Sequence, residues 1–170
     1  MKKLTFLLVV FFTATFSVHS QNSKSVETAD EVGTYAFNII KNLDKTSDKD
    51  FIASFISIEK LKELVSKQAN ADGSDIKEMI TSFTKEAYEE KVIGALTELK
   101  KDAEQYNIVW SDIEFSEFSY EEENEDGFKG IRGDLIFTYK DQKYKVTTSA
   151  FFIDNKYAPL IVRRLRKMSN

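Results

Sequence analysis

The chain has 170 residues, with 24 Lys and Arg against 28 Asp and Glu, one His and no Cys, for a formal net charge of −4. The missing cysteine excludes a thiolate nucleophile, a disulfide framework and a lipid-modified N-terminal cysteine. The acidic balance argues against a nucleic-acid partner, because binding a phosphate backbone calls for a net basic surface that releases counterions.

Residues 1–20 read as a secretory leader. Lys2 and Lys3 supply the positive start, Leu4 to Phe16 the apolar stretch, and Val18-His19-Ser20 a cleavage pattern before Gln21. An uncleaved anchor is the competing reading, but the apolar stretch is shorter than the roughly 20 residues that cross a bilayer. Cleavage leaves residues 21–170 as a single domain with no transmembrane segment, exported to a bacterial periplasm or the extracellular space. It removes Lys2, Lys3 and His19, so 22 basic residues face 28 acidic ones, the charge becomes −6 and no histidine remains. No Ser-His-Asp triad, imidazole base or ordinary zinc site is then available. No cofactor and no metal is implied.

From Ser25 to Tyr106 the apolar positions follow helical spacing. Thr28 and Glu31 form a capping-box pair opening a helix that buries Val32, Ala36, Ile39, Ile40 and Leu43. Phe51 and Phe55 mark a second helical region, and Ser57 is the N-cap of a segment burying Leu61, Leu64 and Val65. Asn70-Ala71-Asp72-Gly73 reads as a turn. Ser74 then caps a long pattern from Ile76 to Ala103, with a break expected near Thr84 or Gly94.

From Ile108 to Arg166 the alternation is that of strands. With Asp141-Gln142 at the centre of a hairpin turn, Tyr139 faces Tyr144, Phe137 faces Val146, Leu135 faces Thr148, Gly133 faces Ala150 and Ile131 faces Phe152, all on one side of the sheet. The other side carries Thr138, Lys145, Ile136, Thr147, Asp134 and Ser149 and reads as mostly wet. The preceding strand needs a bulge at Ser116 and Glu117 opposite Arg132, which puts Phe115 over Gly133 and Phe118 beside Ile131. Trp110 is expected as a packing residue at the sheet edge, and residues 121–127 as an acidic hairpin loop with an Asp-Gly turn. Helices followed by strands make the expected fold α+β, with N-terminal helices packed on one face of a curved C-terminal antiparallel sheet of about four strands.

This order, with the helical start Tyr35-Ala36-Phe37-Asn38-Ile39-Ile40 and the strands Asp134-Leu135-Ile136-Phe137-Thr138-Tyr139 and Ala150-Phe151-Phe152-Ile153-Asp154, resembles the nuclear-transport-factor-like superfamily with its ketosteroid-isomerase and SnoaL relatives. The resemblance covers most of residues 28–166 as element order, and no catalytic motif of the family can be placed. It implies a cone-shaped cavity between helices and sheet, used for binding or for acid-base chemistry. A short strand pair that the family often has between its helices is not found in residues 44–75.

Three Ser-x-x-Lys matches, Ser57 to Lys60, Ser74 to Lys77 and Ser82 to Lys85, lack the partner motifs of acyl enzymes, and two of the serines are better explained as helix caps. An EF-hand alignment on Gly127 offers Glu122, Asn124 and Asp126 but puts Gly133 where the bidentate Glu belongs, so no calcium loop forms. Tyr139, Tyr144 and Thr148 make a polar set on the core face beside the small residues Gly133 and Ala150, where either a helix approaches or a pocket opens. In the last strand a turn at Asp154-Asn155-Lys156 brings either Arg163 or Arg164 beside Val146 on that face. Only a bulge at Pro159 turns both outward. These five residues are the expected ligand contacts, and an arginine at the cavity mouth favours an anion. The expected function is a non-catalytic domain binding a small ligand or a protein partner; the alternative is a cofactor-free isomerase or dehydratase using Tyr with Asp or Glu.

Overall fold

The computed structural model describes residues 25–67, 75–125 and 127–169. The expected leader, the turn at residues 70–73 and the Ser74 cap lie outside the described residues. Five helices, α1 (Ala29–Lys41), α2 (Asp48–Ile52), α3 (Ile58–Ser66), α4 (Asp75–Ser82) and α5 (Lys85–Tyr106), precede four strands, β1 (Glu114–Glu125), β2 (Phe128–Tyr139), β3 (Gln142–Ile153) and β4 (Lys156–Lys167). The strands form one antiparallel sheet in the order β1-β2-β3-β4, so the fold is α+β as expected.

Local chemistry places the helix ends. The Thr28 hydroxyl accepts the Glu31 N–H at 3.3 Å while the Glu31 carboxylate accepts the Thr28 N–H, closing the capping box of α1. Ser57 caps α3 by accepting the Lys60 N–H. The long pattern breaks at Thr84, which caps α5 by accepting the Ala87 N–H, and runs unbroken through Gly94 to Asn107, whose left-handed backbone (φ 53°) ends it.

The main core joins Ala36, Ile40 and Leu43, Phe51 of α2 and Val92, Leu96 and Leu99 of α5 to the sheet residues Leu135, Phe137, Tyr139, Tyr144, Val146, Val162 and Leu165. Trp110 belongs to this core and not to the sheet edge. It sits in a short 3₁₀ turn, is 2% exposed, and packs its ring 6.0 Å from that of Phe137. A second cluster joins Leu61, Leu64 and Val65 of α3 and Ile80 of α4 to Phe128, Phe151 and Ala158. Phe128 and Phe151 alternate out of phase with Ile131 and Ala150, which pack on Ala29 and Val32 of α1. α3 therefore covers the reverse side of the sheet at its β3–β4 turn, and the remainder of that side is the wet face.

Register departs from expectation by one pair while the faces hold. The hairpin turns at Lys140-Asp141, both left-handed (φ 49° and 63°), so Tyr139 pairs with Gln142, Phe137 with Tyr144, Leu135 with Val146 and Gly133 with Thr148. Two consecutive positive φ angles are the geometry of a two-residue turn that matches strand twist. A shift of two in the pairing sum preserves the period of two, which is why every core-face residue still faces the core. The β1 bulge is at Ser116, but opposite Phe137 and Ile136 and not opposite Arg132. Consequently Phe118, not Phe115, covers Gly133, and Phe115 is 46% exposed. The acidic loop is also corrected: Glu121 to Glu125 continue β1 in register with β2, and Gly127 (φ 81°) serves a tight turn.

Candidate functional site

The core-face set is packed away. Tyr139 and Tyr144 are each 5% exposed within the main core, and the Thr148 hydroxyl donates to the Ile161 carbonyl at 2.9 Å. The question raised by Gly133 and Ala150 is answered by close approach: α1 lies over Ala150, and the Phe118 ring fills the space beside Gly133.

Neither arginine reaches that face, because β4 carries two bulges. The two-residue turn Asp154-Asn155 (φ 51° and 60°) sets Ala150 opposite Pro159. Leu160 is then an extra residue, so Ser149 faces Ile161 and Thr147 faces Arg163. The bulge expected at Pro159 turns both arginines outward; the one found there, with Leu160 as its extra residue, turns only Arg163. Continued without interruption, the ladder would put Arg164 opposite the core-facing Val146. A second bulge intervenes, Arg164 takes a left-handed backbone (φ 62°), and Leu165 occupies the core position while Arg166 pairs with Lys145. A non-glycine residue in that region is uncommon and costs roughly 1–2 kcal/mol.

The outward arginines meet others. Arg164 and Arg166 line a cleft of about 440 Å³ on the wet face together with Arg132, Lys145, Asp134, Thr147 and, from β1, Ser119 and Glu121. Four cations thus share the cleft with two carboxylates. Asp134 is engaged, accepting from Lys145 Nζ and from the Thr147 hydroxyl at 3.0 Å. Burial opposes ionisation of Asp134, but these hydrogen bonds and the charges of Lys145 and Arg166 outweigh it and hold the carboxyl below its usual range. Arg132 faces Glu123 at 3.4 Å. Arg164 and Arg166 have no ion-pair partner within 4 Å among the described residues. Arg163, beside them, has a buried Nε with no hydrogen-bond acceptor. Burial, then the charges of Arg164 and Arg132, lower its pKa against a weaker opposing pull from Glu98.

A buried unpaired guanidinium nitrogen next to a strained arginine is electrostatically incomplete. The arrangement can accept an oxyanion, since guanidinium groups bind carboxylate and phosphate through two parallel N–H bonds. Its hydroxyls are Ser119 and Thr147, and the Asp134 carboxylate that accepts from Thr147 is also tied to Lys145 and held below its usual pKa, which makes it a weak base. Of the Ser-x-x-Lys serines, Ser57 caps α3 while Lys60 pairs with Glu63 at 2.9 Å, and Ser82 donates to the Met79 carbonyl; Ser74 lies outside the described residues. No cluster of three metal-ligating side chains occurs among the described residues. No helix among them is long and apolar enough to cross a membrane.

Sequence reasoning brought Arg164 forward but missed Arg132, Lys145 and Arg166 as its companions. Their signal is the period of two: Arg132, Asp134 and Ile136 share a phase, and Lys145 and Thr147 lie across from them. What pattern alone does not supply is the pair of bulges that adds the β4 arginines to that face. No family model, no curated protein and no solved structure matches this chain.

Proposed function

We propose that this protein is an exported, non-catalytic binding domain that takes a small anionic ligand on the open face of its sheet. The observation that carries the reading is the pair Arg163 and Arg164. The first, opposite Thr147 on that face but outside the lining of the cleft, has a desolvated Nε without an acceptor, and the second is held in a left-handed bulge and lines the cleft with Arg132 and Arg166. Strain and unsatisfied donors persist at sites that are completed by a ligand. An anion with two or more charges in the cleft relieves the repulsion among the arginines.

Helices over a curved sheet, the order resembling the nuclear-transport-factor-like superfamily, support a binding role, with the site on the side opposite to that superfamily's cavity. The leader supports export to the periplasm or beyond. The isomerase or dehydratase alternative has less support. It calls for a tyrosine beside a carboxylate in a cavity, whereas Tyr35 and Tyr88 donate to the carbonyls of Ser54 and Ile56 and Tyr139 and Tyr144 are packed in the core.

Calorimetric titration of the mature protein with succinate, citrate and tripolyphosphate tests the proposal. Affinity rises with ligand charge, and Arg164→Gln and Arg166→Gln each weaken it about tenfold or more, since charge-assisted hydrogen bonds contribute about 1.5–3 kcal/mol. Lys41→Gln, on the far surface, leaves it unchanged. Equal affinity in all four proteins, or none for any anion, contradicts the reading.

A further inference from the structure

A second surface, which adjoins the arginine cleft at Ser119 and Glu121, is the outer edge of β1. Twelve residues long, β1 pairs only with β2, and among the described residues no backbone group from Glu114 to Glu125 hydrogen-bonds to anything else. Such an edge presents a row of free N–H and C=O groups to another strand. On the wet side it displays Glu114, Glu117, Ser119, Glu121 and Glu123, and on the other side Phe115 and Tyr120, 46% and 38% exposed, followed by Glu122 and Asn124. The strand carries no Lys or Arg.

We infer that the β1 edge accepts an extended partner segment that alternates basic and apolar residues, adding it as a fifth strand. Residues directly opposite across two strands interact, and like charges there are destabilising. The glutamates therefore disfavour pairing of β1 with a second β1 and favour Lys or Arg at alternate positions of the partner. From Phe115 to Tyr120 the intervening partner residues fall on the apolar side of the edge, which calls for apolar groups there. Main-chain hydrogen bonds supply affinity and the alternating side chains supply selection.

The test uses a nine-residue peptide alternating lysine with valine and its counterpart with glutamate for lysine. Fluorescence anisotropy gives affinity, and amide hydrogen exchange gives the location. The mature protein binds the lysine peptide at least tenfold more tightly than the glutamate peptide, with protection gained along residues 114–125. The double variant Glu114→Lys/Glu117→Lys, which leaves the cleft intact, reverses the preference, and the gain for the glutamate peptide shows that the variant is folded. Equal affinity for both peptides, protection elsewhere, or an unchanged preference in the double variant overturns the inference. So does concentration-dependent self-association in sedimentation that the double variant abolishes, which would make a second copy of the chain the occupant.

Discussion

The Phe118 ring occupies the space that a side chain at Gly33 would need. A Cβ on Gly33 would lie 2.4 Å from the ring, and a Cβ on Gly133 would lie 2.5 Å from its far edge. α1 and the β2 strand thus approach through one aromatic slab, and both glycines are there for space and not for backbone freedom. Gly33→Ala and Gly133→Ala are each expected to cost about 1–3 kcal/mol, the usual range for overpacking. Because the clash in each involves the same ring, Phe118→Leu combined with Gly33→Ala costs less than the sum of the two, which urea unfolding of the four proteins measures.

Phe118 and Phe115 separate two registers of β1. Phe118→Ala is expected to lose about 2–3 kcal/mol, toward the low end for a buried aromatic because the ring is only partly covered. Phe115 stands edge-on to Phe37 at 5.5 Å but is 46% exposed, so Phe115→Ala costs under about 1 kcal/mol. Equal losses would return the bulge to the position opposite Arg132.

Helix starts were legible because their signals are local: Thr28 with Glu31, Ser57 and Thr84 satisfy N–H groups within their own first turn. Strand faces were legible because alternation survives any even shift in pairing. Pair partners were not, since choosing Lys140-Asp141 over Asp141-Gln142 depends on two non-glycine residues adopting positive φ. The site suffered most. Leu160 and Arg164 each add a residue to β4, and a single added residue reverses every side chain beyond it, so the first bulge turned Arg163 off the core face and the second returned Leu165 to it.

Arg164 holds its conformation against its own backbone preference. Arg164→Gly is expected to raise stability by about 0.5–1 kcal/mol, since glycine adopts the left-handed region freely. The same change weakens binding of tripolyphosphate. Arg164→Val, β-branched at that position, destabilises and weakens binding together. Thermal unfolding with and without tripolyphosphate reads both effects. If Arg164→Gly is destabilising, the backbone at this bulge is not strained.

Asp134 ties the cleft floor to pH. Its folded pKa lies below the unfolded value of about 3.9, so its contribution to stability is complete above that value and is lost as pH falls through the folded pKa. Asp134→Asn is therefore expected to lower stability at pH 7 by at most about 1 kcal/mol, the pair with Lys145 being partly screened by solvent. The difference from the unmodified protein shrinks toward zero at the acid end. A deficit that stays constant from pH 7 to pH 2 would mean that the carboxylate charge contributes nothing.

The central claim is that the open face of the sheet, and not its helix-covered face, holds the ligand. Backbone amide NMR of the mature protein during titration with tripolyphosphate tests it most directly. The expected result is saturable shifts at Arg132, Asp134, Lys145, Thr147 and residues 163–166, with Tyr139 and Tyr144 little changed and the shifts abolished in the Arg164→Gln/Arg166→Gln double variant. Saturable shifts centred on the amides of α1, α5 and the core face of β3, persisting in the double variant, would contradict it.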